Sequence, residues 1–165
     1  MVPGVTLYWL LNPHKDAEIM QIITPTAQPP AGSVYRCAMK VRWGDLDALN
    51  HVNNTVYFRF FEEARVQLFE QVWLIRPSTS VSVLAHASCD FLKQLLYPAT
   101  VVITQELVRI GRSSIEMNTL LEREDEPGVL YAKGRYVLVG MNPATGKSEP
   151  WTEQQLACLA ELMAT

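Results

Sequence analysis

The sequence predicts an α+β domain in which one long helix is wrapped by a curved antiparallel sheet of about five strands. Three observations carry this. A run of period two begins at Val34, the spacing switches to a helical period after Asn54, and four further β-rich segments follow, joined by short turns. A helix with a single apolar stripe has to bury that stripe, and the sheet that such strands build is the available partner.

In the first strand Tyr35, Cys37, Met39, Val41 and Trp43 alternate with Arg36, Ala38, Lys40 and Arg42, which gives one buried face. A polar turn runs from Gly44 to the two asparagines Asn53 and Asn54. Then Tyr57, Phe60, Phe61, Ala64, Leu68 and Val72 fall on one helical stripe. Asn53 or Asn54 suits the N-cap, and Arg76-Pro77 marks the end region.

Segments 80–92, 100–110, 113–123 and 129–141 are rich in Val, Ile, Leu, Thr and Tyr and read as strands. In the third, Ile115, Met117, Thr119 and Leu121 alternate with Glu116, Asn118 and Glu122. Gly111-Arg112 and Glu126-Pro127-Gly128 are short enough to be hairpin turns. Residues 142–150 read as a loop, and Thr152-x-x-Gln155 as a capping box opening a last short helix through Met163.

The 165 residues suit one core domain, placed at 34–165. Residues 1–33 read as an extension outside it, because 24–33 is rich in Pro, Thr and Ala, a linker composition. A net charge of −3 gives no basic field for nucleic acid. Cys37, Cys89 and Cys158 are odd in number and lack a C-x-x-C, which argues against a disulfide framework and fits a reducing cytoplasm. No apolar run approaches the roughly 20 residues that span a bilayer, so no membrane association is expected.

The turn 44–54 brings a carboxylate, an imidazole and two amides to a helix N-terminus. That end carries unpaired N–H groups and the positive end of the macrodipole, which polarise a carbonyl and hold the oxyanion formed when it is attacked. A nearby carboxylate activates water or attacks directly. A thioester is a suitable electrophile for either route.

The run Asp45-x-Asp47, then His51-Val52-Asn53-Asn54, Tyr57 and Glu62-Glu63-Ala64-Arg65, closely resembles the 4-hydroxybenzoyl-CoA thioesterase-like branch of the hotdog superfamily. Supporting similarity lies at 86–91, 109–114 and 132–135, and the resemblance covers roughly residues 34 to 155. It implies a hotdog fold, a homodimer or a dimer of dimers with the active site between subunits, an acyl-CoA substrate and no cofactor. It matches the catalytic carboxylate to Asp47 and the oxyanion donor to a backbone N–H near Asn54 or Thr55. It lays coenzyme A near the turn Gly111-Arg112-Ser113-Ser114. Two positions depart from the pattern: Asn50 stands where many relatives carry Gly, and 94–100 replaces a Pro-x-x-x-Gly-Asp stretch.

Plainer readings stand beside these. Asp47 also suits a turn residue that caps backbone donors. Asp45, on the same face if the segment is extended, is assigned a structural role. His51 is a general base, a partner for the turn or a structural histidine, and it has no Ser or Cys to complete a triad. The three histidines show no metal-ligand spacing, so no metal is expected. Tyr57 belongs to the core stripe or to the acyl pocket, and Glu62 reaches the site mouth or is a solvated helix charge. Arg112 and Ser113 contact phosphate or are hairpin residues. The alternatives to acyl-CoA hydrolysis are hydrolysis of acyl-carrier-protein thioesters and a non-catalytic acyl-CoA-binding dimer.

Overall fold

The computed structural model describes residues 28–73 and 81–163. Strand β1 (Val34–Lys40) leads through a 3-10 turn (Trp43–Asp45) into helix α1 (Asn54–Trp73). Strands β2 (Val81–Phe91), β3 (Thr100–Ile110), β4 (Ser114–Arg123), β5 (Leu130–Asn142) and the short β6 (Lys147–Ser148) follow, then helix α2 (Glu153–Leu162). The sheet is antiparallel in the order β1-β3-β4-β5-β2, with β6 on β5. With α1 packed on this sheet, the architecture is a hotdog fold.

The period-two reading of β1 holds as far as Lys40: Tyr35, Cys37 and Met39 turn inward while Arg36, Ala38 and Lys40 are exposed. It fails at Trp43, which is 77% exposed. Val41 N–H bonds to Ala99 O and the chain then tightens into the 3-10 turn, so the alternation has no ladder to continue on. The stretch 142–150 is not wholly a loop, since Met141 and Asn142 pair with Ser148 and Lys147. At 28–33 the chain is not a free tether: Ser33 is buried, Gly32 N–H bonds to Leu107 O, and Leu107 N–H bonds to Ser33 O. Residues 1–27 and the helix end expected at Arg76-Pro77 lie outside the described residues.

The stripe of α1 is buried as its spacing requires, and Phe69 joins it. Its first half packs with Ile103, Leu121 and Ala132, and its second half with Leu107, Met117 and Leu159 of α2. Each fully buried Leu or Phe contributes about 1.5–3 kcal/mol, so this seam holds the fold together. Gly134 of β5 lets α1 and β2 close on each other. A Cβ there would meet Ser88 O at 2.5 Å and the Phe61 ring at 2.8 Å. The box at α2 forms as expected, with Gln155 N–H to Thr152 Oγ1 and Thr152 N–H to Gln155 Oε1. No described helix is long and apolar enough to cross a membrane.

Candidate active site

Between β1 and α1 the chain folds two successive polar turns. In the first, the Arg42 N–H donates to Asp45 Oδ2 at 2.7 Å. In the second, Asp47 N–H bonds to His51 O at 2.8 Å, and Asp47 Oδ1 accepts the N–H groups of Leu49 (2.8 Å) and His51 (3.3 Å). Asp47 therefore does cap its own turn. Its Oδ2 has no hydrogen bond among the described residues. Asn50 closes the turn at φ 59°, in the left-handed region. Asn enters that region more readily than most side chains, which suits it to this turn.

Asn53 is the N-cap. Its Oδ1 accepts from Thr55 N–H at 2.9 Å and from Thr55 Oγ1 at 2.8 Å, while its own N–H is held by Asp45 O. This separates the two candidate oxyanion donors. Thr55 N–H is spent on the cap and Val56 N–H on Asn53 O. The Asn54 N–H is the first of the unpaired donors at the helix start and has no partner among the described residues.

Asp47, His51, Asn54 and Tyr57 line one open cleft of about 350 Å³ together with Phe91, Leu92, Lys93 and Gln94. The His51 imidazole makes no hydrogen bond among the described residues, so nothing there fixes its tautomer. Tyr57 is buried, and its hydroxyl takes the Leu95 N–H at 3.2 Å and reaches Lys93 O at 3.5 Å. Burial raises its pKa, partly offset by the Leu95 N–H. It thus pins the loop after β2 as the cleft wall. Part of that loop is the stretch 94–100 where the sequence departs from the family pattern; Leu92 and Lys93 carried no signal of their own. Lys93 at the rim is paired with Glu126 at 2.8 Å and sits 4.7 Å over the Tyr131 ring.

The structure does not gather every candidate. Asp45 and Asp47 do not share a face, because the segment is two turns rather than extended. Asp45 lines a separate cleft with Lys40, Arg42, Arg59, Glu62 and Glu63. Glu62 borders that cleft and a chamber between α1 and β2, but not the Asp47 cleft. Arg112 and Ser113 lie in the β3–β4 turn. The cleft adjoins the start of β3, so an eleven-residue strand of roughly 35 Å separates them from Asp47 in one chain. Burial pushes the Cys37 and Cys89 thiols up to about 11, so neither supplies a thiolate nucleophile at neutral pH. Among the described residues no three His, Cys, Asp or Glu side chains group as a metal site.

Comparison with known proteins agrees with this architecture. The YsmA protein of Bacillus subtilis (strain 168), itself uncharacterized, is 29% identical over 119 residues, 71% of this chain and 79% of YsmA. The PA2801 protein from Pseudomonas aeruginosa, described as a "putative Thioesterase", is 33% identical with a TM-score of 0.71, covering 78% of this chain and 99% of that one. SAV2348 of Staphylococcus aureus, solved in complex with CoA, shares the fold at a TM-score of 0.70 and 14% identity, over 84% of this chain and 91% of its own. The family model of the thioesterase-like superfamily matches residues 41–159, from the 3-10 turn to α2, and the chain belongs to that superfamily.

Proposed function

We propose that the protein hydrolyses an acyl-CoA thioester to the free carboxylic acid and coenzyme A. The observation that carries this is the pairing, across one cleft, of Asp47 and the unpaired Asn54 N–H. The helix N-terminus polarises the thioester carbonyl, and the N–H meets the negative charge that grows on its oxygen. Asp47 Oδ2 takes a proton from water as the water attacks, or attacks the carbonyl itself to form a mixed anhydride that water then hydrolyses to the free acid and the restored aspartate. The thiolate of coenzyme A leaves and is protonated. Membership of the thioesterase-like superfamily supports thioester hydrolysis, and the CoA complex of SAV2348 supports coenzyme A as the carrier.

The working unit is a homodimer. β2 is a sheet edge whose only partner among the described strands is β5, and Val81, Leu84 and Phe91 are 44%, 46% and 43% exposed. An unpaired edge carrying apolar side chains calls for a partner strand. Antiparallel pairing of two β2 edges turns the partner's opposite sheet end toward each cleft. It thereby carries the partner's β3–β4 turn, with the residues equivalent to Arg112 and Ser113, toward the coenzyme A tail.

The test is release of free thiol from a panel of acyl-CoAs of different length and polarity. At least one is expected to turn over catalytically. No thiol release across the panel from a dimeric, folded protein, with acyl-CoA still bound, overturns hydrolysis in favour of a binding protein.

A further inference from the structure

Asp47 and the Asn54 N–H belong to two separately built pieces of chain. The carboxylate sits on a turn closed by its own hydrogen bonds, and the donor on the first turn of α1. A third piece, the backbone of Leu95, holds one against the other. Leu95 is fully buried in the loop between β2 and β3. Its C=O accepts the Val52 N–H at 2.9 Å, directly after the Asp47 turn. Its N–H donates to the Tyr57 hydroxyl at 3.2 Å, about one helical turn past Asn54. The two grips therefore flank the donor. Asp45 O also holds the Asn53 N–H at 2.9 Å, but it comes from the neighbouring turn and reaches no part of the sheet.

This bracket is itself anchored to the sheet. The Leu92 and Lys93 N–H groups both donate to Tyr131 O of β5, at 2.9 and 3.1 Å. Phe91, the last residue of β2, packs edge-on against the Tyr57 ring with centroids 5.1 Å apart. Both polar contacts of the phenol are to the same loop: its oxygen accepts from Leu95 N–H, and its O–H lies 3.5 Å from Lys93 O. Burial raises its pKa, so the phenol stays protonated at neutral pH.

Resting on the reading of Asp47 and the Asn54 N–H as the hydrolytic pair, we infer that Tyr57 is a positioning residue. Through the Leu95 backbone it locks the start of α1 against the Asp47 turn. The carboxylate and the N–H act on opposite ends of one carbonyl group, so an error of about 1 Å between them costs up to about a hundredfold in rate. The walls that the ground-state substrate meets are unchanged by such an error, so the loss falls on kcat rather than on KM.

Tyr57→Phe keeps the ring and its packing and removes only the hydroxyl. Tyr136→Phe is the matched control. Tyr57 and Tyr136 are 3% and 2% exposed, and the Tyr136 hydroxyl donates to Gln105 Oε1 in the cluster against the second half of α1. Both variants are expected to lower the melting temperature. Thiol release per folded molecule is expected to fall about 10–10²-fold in kcat for Tyr57→Phe, with KM within about twofold, and to stay near the wild type for Tyr136→Phe. Wild-type kcat in Tyr57→Phe, a change confined to KM, or an equal loss in both variants overturns the inference.

Amide hydrogen exchange reads the bracket without turnover. Val52 N–H bonds to Leu95 O and not to Tyr57, so faster exchange at Val52 in Tyr57→Phe, absent in Tyr136→Phe, is the expected signature. Unchanged exchange at Val52 overturns the inference. Should Tyr57→Phe fail to fold, the wild type decides: the Val52 and Leu95 amides are expected to open together in mild denaturant, and separate opening overturns the bracket. If no acyl-CoA is hydrolysed, the proposed hydrolysis falls alone, and exchange at Val52 still decides whether Tyr57 holds the turn.

Discussion

Asp45 and Asp47 sit two residues apart, each accepts backbone N–H groups of its own turn, and yet they face opposite sides of α1. On the Asp45 side the cleft is open and crowded with charge of both signs, from Lys40, Arg42 and Arg59 to Glu62 and Glu63. On the Asp47 side there is one carboxylate, an imidazole, an aromatic wall and the first free N–H of the helix. The local hydrogen bonding of the two aspartates is much alike. What differs is the company, and of the two only Asp47 shares its cleft with Asn54, whose N–H is unpaired among the described residues.

That contrast breaks or sharpens under substitution. The largest effect is expected at the carboxylate itself: Asp47→Asn lowers kcat by about 10²–10⁴-fold, the usual worth of a positioned general base. Its amide oxygen still accepts from Leu49 and His51, so the melting temperature changes little, as a thermal melt would read. Next comes the turn that aims it. Asn50→Val forces a β-branched side chain into the left-handed region and costs about 1–2 kcal/mol, whereas Asn50→Gly is neutral, both read by denaturant titration. Asp45→Ala removes the acceptor of the Arg42 N–H and costs about 0.5–2 kcal/mol of stability, with turnover per folded molecule kept. Smallest is Asn53→Ala, about 1 kcal/mol from the lost cap. It frees the Thr55 N–H beside Asn54, so KM and kcat measured together report whether one donor or two can serve the oxyanion.

Much of this was legible in the sequence, for identifiable reasons. The stripe from Tyr57 to Val72 and the alternation from Ile115 to Leu121 are periodic signals that burial enforces directly. The capping box at Thr152 is equally local. Trp43 was misread because alternation on paper does not reveal where the hydrogen-bonded ladder stops. The divergence of Asp45 and Asp47 depends on turn geometry, and the remoteness of Arg112 and Ser113 on strand length and topology. Neither follows from spacing in a motif.

The central claim is that Asp47 performs chemistry which its neighbour cannot. Thiol release by Asp47→Asn and Asp45→Asn, assayed side by side on the best acyl-CoA with both variants verified as folded dimers, tests it directly. The account predicts that Asp47→Asn loses at least about a hundredfold in kcat while Asp45→Asn stays near the wild type. Retention of wild-type turnover by Asp47→Asn, or an equal loss in both, would contradict it.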